Sequence, residues 1–184
     1  MRKTTPCIRL PRERLRRLFR QGALFAYPTE AVFGLGCNPF ARSAVMRLYR
    51  LKQRSKNKPL LLIVDDWRRI APYTSFRDWP KLKGARATTW LLPATKKAPS
   101  WLLGKGQTIA VRKTDHPLAK DLCKIFKSPL VSTSANASGR RPATSVRQVM
   151  RYFNSHVVVI HGRVGQEKKP SMIVEVQRGK IIRP

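Results

Sequence analysis

The run Pro59-Leu60-Leu61-Leu62-Ile63-Val64 limits the possible folds more than any other part of the chain. It has the length of a strand and no polar residue to turn toward water, so it reads as a strand covered on both faces. Such a strand needs layers packed on each side of its sheet, which is an α/β arrangement. The surrounding pattern agrees. Residues 12–21 place Leu15, Leu18 and Phe19 at helical spacing among arginines, and Gly22 stops that helix before the strand-like Ala23-Leu24-Phe25-Ala26-Tyr27. Pro28 to Pro39, with Gly34 and Gly36, reads as a functional loop. A helix follows with Ala44, Val45, Leu48, Tyr49 and Lys52 on one face, so the stripe that packs on the sheet ends in a lysine.

Further strands are expected at 87–93, 108–112, 129–133 and 156–160, and helices near 117–126 and 144–153. Ile173 to Val176 and Lys180 to Ile182 bracket Arg178-Gly179, a hairpin signal that closes the sheet. The stretch 74–106 is the least regular and the part expected to move. With no linker and no internal repeat, residues 1–184 read as one domain. A chain of that length buries roughly two-thirds of its unfolded surface.

Lys and Arg number 39 against 9 acids, a formal charge of +30. A surface with that potential gathers anions, polyphosphates and nucleic acid above all, although a solvated basic face gives the same composition. No apolar run approaches the roughly 20 residues that span a bilayer. The basic start MRKTTPCIRLPRERLRR leads into no apolar signal core, so a soluble cytoplasmic protein with no membrane partner is expected. Cys7, Cys37 and Cys123 contain no CxxC pair and leave an odd thiol, which argues against a disulfide framework. His116, His156 and His161 are scattered, so no metal site is expected.

Polar groups stand where strands should end in four segments: Tyr27-Pro28-Thr29-Glu30, Lys52-Gln53-Arg54, Ser132 to Gly139, and Pro170-Ser171. In open α/β sheets such ends line ligand crevices. Ser134 and Asn136 are separated only by Ala135, small enough for a ligand to approach the backbone; alone, the segment also reads as a Ser/Asn turn capping a helix. Lys52 and Arg54 cannot share a helix face, but a chain leaving its helix can turn both toward one anion.

Taken together, AYPTEAVFGLGCNPF at 26–40, LKQRSKNKPL at 51–60, TIAVRKTDHPLA at 108–119, STSANASG at 132–139, and PSMIVEV with the terminal IIRP closely resemble the YrdC/Sua5 family. The motifs recur in the family's order and spacing, and the length is similar to its short stand-alone bacterial form. The resemblance implies a single-domain α/β fold with a twisted mixed sheet and flanking helices around a large basic cleft. It implies synthesis of L-threonylcarbamoyl-AMP and pyrophosphate from L-threonine, bicarbonate and ATP. A separate transferase complex then modifies tRNA beside the anticodon.

The chemistry of the residues suits that implication. The nucleophile, the carboxylate of N-carboxy-threonine, is already ionised at neutral pH, so its attack on the α-phosphate needs no Ser/His/Asp set. The reaction needs two repelling anions held together and the charge on pyrophosphate neutralised, which Lys and Arg can do. With so few acids, Mg²⁺ is expected to be carried mainly by ATP, with no tightly bound cofactor.

Carried over motif by motif, the resemblance implies that Thr29, Arg112, Ser134 and Ser171 bind threonine, with Arg112 clamping its carboxylate. It implies Lys52 and Arg54 as catalytic, and Lys58, Thr108, Asn136, Thr144 and Arg183 on the ATP side. The chain departs from the family pattern at Ala31, Ser55, Ile63 and the turn Gly84-Ala85-Arg86-Ala87-Thr88. Two other readings use the same residues: a non-catalytic module of this fold that binds tRNA or double-stranded RNA by charge, and a related carbamoyl-adenylate enzyme with another acceptor.

Overall fold

A computed structural model describes residues 10–55, 58–79, 87–167 and 171–183. Cys7, most of the 84–88 turn and Pro170 lie outside those residues. The elements run α1 (Arg12–Arg20), β1 (Phe25–Pro28), β2 (Phe33–Gly36), α2 (Arg42–Leu51), β3 (Leu61–Val64), β4 (Thr88–Pro93), β5 (Thr108–Lys113), α3 (Pro117–Phe126), β6 (Leu130–Ser134), α4 (Val146–Phe153), β7 (Val158–Val159), β8 (Met172–Glu175) and β9 (Lys180–Arg183). The strands form one mixed sheet in the order β7-β1-β2-β6-β3-β5-β4-β8-β9. β3 lies between antiparallel β6 and parallel β5, and Leu62, Ile63 and Val64 are buried.

Two cores flank the sheet, as expected for a strand with no polar face. One joins Leu35, Leu62, Val111 and Val131 to α2 residues Ala44, Val45, Leu48 and Tyr49. The other joins Phe25, Tyr27, Ile63 and Leu130 to α1 and α3 through Leu15, Phe19, Leu122 and Phe126. Phe19 and Phe126 stack with centroids 4.0 Å apart.

The segment expected to be one loop from Pro28 to Pro39 contains β2. Its pattern Phe33-Gly34-Leu35-Gly36 alternates large apolar side chains with none. A Cβ at Gly36 would lie 1.8 Å from the Val131 carbonyl oxygen, and one at Gly34 would lie 2.9 Å from the Thr29 methyl group. The glycines let β2 sit tightly between β1 and β6, a close backbone approach that outweighs their poor intrinsic strand preference.

Candidate active site

Directly paired residues point to one face of a sheet. Leu61 pairs with Ser132 and Ala110, Leu91 with Ala110 and Glu175, and Glu175 with Lys180. On the opposite face, Val131, Leu62, Val111 and Val174 are all buried. Across the first row, Leu61, Ala110, Leu91 and Glu175 are only partly covered. Ser132 in that row is buried, as are Thr89, Thr108 and Ser171 on the same side, and Trp90 of the opposite row is partly covered, so this face carries polar side chains and is incompletely sealed.

The alternation of strands puts Thr108 and Arg112 of β5, Ser134 of β6, Ser171 beside β8, and Arg183 of β9 on that face. Arg183 donates to the Ser171 carbonyl from Nη2 at 2.6 Å and from Nε at 3.2 Å, and the Ser171 hydroxyl lies 2.8 Å from that of Thr89. Continuing the β4–β5 register one residue past Trp90↔Val111 sets Thr89 opposite Arg112. The Thr108 hydroxyl donates to the Lys105 carbonyl at 2.9 Å.

Thr29 reaches the site from the β1–β2 turn. It is buried, donates to the Val32 carbonyl at 2.7 Å, and sets its methyl group over Gly34, which pairs with Ser134. Next to it, Glu30 accepts from the Thr114 hydroxyl at 2.5 Å and the Asp115 amide at 3.1 Å, and stands 3.5 Å from Arg112. Burial alone would raise the Glu30 pKa; the charge of Arg112 and these hydrogen bonds outweigh it and hold the carboxyl below its usual range.

Lys52 caps α2 with its ammonium turned inward. It donates to the carbonyls of Ser134 and Asn136, the latter at 2.8 Å, and approaches Asn136 Oδ1 at 3.4 Å. Ser134 Oγ donates to the same Oδ1 at 2.6 Å, while Asn136 Nδ2 donates to Ala137 and Arg140 carbonyls. Lys52, Ser134 and Asn136 thus form one unit. Burial, with the Arg54 charge adding to it, lowers the Lys52 pKa to about 8.

Arg54 donates to the carbonyls of Lys58 and Pro59 at 3.3 and 3.1 Å and closes the turn into β3. Lys58 is exposed, and Thr144 bonds to Gln148 of α4 at 3.1 Å, next to Ala143, whose amide donates to the Ala135 carbonyl of the turn at 3.0 Å; neither side chain has a hydrogen bond to the unit among the described residues. Glu30 and Thr114 are missing from the set implied by the sequence motifs. The available signal was an acid beside Thr29 in a chain with so few of them. Two hollows of about 380 and 550 Å³, near Phe40 and Lys127, are lined by none of the residues carried over from the motifs. Among the described residues no group of three or more His, Cys, Asp or Glu could hold a metal ion, and no helix is long and apolar enough to cross a membrane.

A family model described as "Telomere recombination", covering Sua5, YciO and YrdC, matches residues 17–184. A protein of Pseudoalteromonas atlantica named threonylcarbamoyl-AMP synthase is 45% identical over 174 residues, 88% of this chain and 90% of its own. One of the same name from Cellvibrio japonicus is 41% identical, over 91% of this chain and 92% of its own. Among solved structures, P. abyssi Sua5 complexed with L-threonine superposes with a TM-score of 0.79 at 26% identity, over 92% of this chain and 52% of that one. The present chain thus spans about half the length of that Sua5. E. coli YciO shares the fold at 22% identity, with a TM-score of 0.76 over 94% of this chain and 89% of that one. With a family model matched over residues 17–184 and relatives this similar over about nine-tenths of both chains, the chain belongs to the Sua5/YciO/YrdC family.

Proposed function

We propose that this protein is a threonylcarbamoyl-AMP synthase, joining the carboxylate of N-carboxy-L-threonine to the α-phosphate of ATP with release of pyrophosphate. The observation that carries the reading is the 45% identity, over about nine-tenths of both chains, to a protein of that name. The gathering of Thr108, Arg112, Ser134, Ser171 and Arg183 on one sheet face supports it as one wall of a substrate cleft. Arg112 suits the threonine carboxylate because a guanidinium fork matches a carboxylate in two parallel hydrogen bonds. Thr29, Ser134 and Ser171 supply hydroxyls near it for the rest of the amino acid.

Asn136, Thr108 and Arg183 lie toward the nucleotide, and Lys52 holds the Ser134–Asn136 turn between the two substrates. Arg54, Lys58 and Thr144 are the outer residues of the ATP side in this reading. Each is placed to meet phosphate only after its present backbone or surface contacts rearrange. The reacting carboxylate needs no proton removed, so what the chain supplies is position and positive charge. Mg²⁺ enters with ATP, bound mainly by phosphate oxygens. The product is a mixed anhydride that leaves for a separate tRNA transferase.

Incubation with ATP and bicarbonate tests the reaction directly. Pyrophosphate release should require both bicarbonate and L-threonine, because the nucleophile exists only after the amine is carboxylated. Equal release without threonine overturns the reading, and release with another amino acid in its place reassigns the acceptor.

A further inference from the structure

We propose that Glu30 is a positioning residue that holds the Arg112 guanidinium by charge alone, leaving its hydrogen-bond donors for the carboxylate of the substrate. The inference rests on the proposed role of Arg112 as the carboxylate clamp. Both side chains are nearly buried, 13% and 12% exposed, and their closest approach is 3.5 Å. Neither Glu30 Oε2 nor Arg112 Nε has a hydrogen-bond partner, although both atoms are sealed from solvent. A bidentate ion pair would have used those atoms on each other. The contact is instead coulombic, between a fixed anion and a cation whose fork is not closed on it.

The anion is fixed from three directions. Thr114 Oγ1 and the Asp115 amide hold Glu30 Oε1. The Glu167 amide donates to the Glu30 carbonyl at 3.0 Å, and the Gly165 amide donates to the Thr29 carbonyl at 2.8 Å. A Cβ at Gly165 would stand 2.5 Å from the Glu30 carbonyl oxygen, so this segment packs directly on the Glu30 backbone. Among the described residues, Glu30 is the one carboxylate within salt-bridge reach of Arg112. A role as general base fits poorly, because a carboxyl held below its usual range is a weak proton acceptor.

A double-mutant cycle on kcat/KM for threonine, read by pyrophosphate release, tests the proposal. Glu30→Gln keeps an acceptor for Thr114 but removes the charge. It should lower kcat/KM for threonine about tenfold through KM, while KM for ATP moves less than about twofold. In an Arg112→Ala background the same change should cost less than about twofold, because the residue acts through the guanidinium. Thr114→Val removes one tether and leaves the charge. It should give a smaller loss that also vanishes without Arg112, and it carries the test if Glu30→Gln does not fold.

Losses that add in the double variants overturn the proposal. So does a Glu30→Gln enzyme that uses threonine as well as or better than wild type, since then the acid only repels the substrate carboxylate. Wild-type release that ignores threonine would remove the clamp and Glu30's role together. An additive cycle in a threonine-dependent enzyme removes Glu30's role alone.

Discussion

Lys52 is 4% exposed, and burying an ammonium requires acceptors around it. The Ser134 and Asn136 carbonyls and Asn136 Oδ1 supply them. Its reach from α2 to the turn after β6 ties Ser134 to Asn136, the residues proposed to meet threonine and ATP. With the Lys52 pKa at about 8, the ammonium becomes a neutral amine as the pH rises through that value and keeps two donors instead of three. ATP affinity measured by calorimetry without threonine should therefore fall between about pH 7 and 9.5. Lys52→Ala should bind more weakly throughout and lack that step.

The same shift acts on stability with the opposite sign. Between about 8 and the ordinary lysine value of 10.5, the unfolded chain binds the extra proton, so this group makes the fold more stable as pH rises. Lost affinity there would not be unfolding caused by Lys52. A wild-type affinity that stays flat across the range would show that the turn does not depend on the charge.

At the scale of elements, β2 separates what local patterning can show from what packing decides. Glycine disfavours strands because it adds backbone entropy and packs no side chain, so Phe33-Gly34-Leu35-Gly36 reads locally as loop. Its strand state comes from β1 and β6, which leave no room for a Cβ on the glycine side. Gly36→Ala forces a methyl group against the Val131 carbonyl and should lower stability by about 1–3 kcal/mol, as overpacked cores do. Urea denaturation measures this, and an unchanged midpoint would mean that β2 is free to move away from β6. α2 and α3 are legible because their apolar faces repeat at helical spacing.

Across the whole molecule, the ion pairs among the described residues engage Glu30, Asp65, Asp66, Asp115 and Asp121, five of the nine acids, and leave a large excess of cations. RNA held by charge alone is held through phosphate, with affinity that falls steeply with salt and carries no sequence information, and that is the kind of RNA binding expected of such a surface. Filter binding should find tRNA and other duplex RNA of similar length held alike, with both lost as salt is raised. Pyrophosphate release should proceed without RNA, since neither nucleotide chemistry nor threonine selection needs it. Strict dependence of that release on tRNA would make RNA recognition a primary function instead.

The order of residues was enough to establish the α/β layering, through a strand with no polar face, and the family, through ordered motifs that span most of the chain. It also marked Thr29, Lys52, Arg54, Ser134, Asn136 and Ser171 as polar residues where elements end, and pointed to Arg112 through the family resemblance. Which of them meet is settled by packing. The Lys52 ammonium turns inward because backbone carbonyls 82 and 84 residues away solvate it. Glu30, in the turn after β1, meets Arg112 of β5 although β2, β6 and β3 lie between those strands in the sheet, a closeness that no local pattern encodes. Contacts of that range depend on strand order and on what fills the space between strands, quantities that periodicity along the chain does not contain.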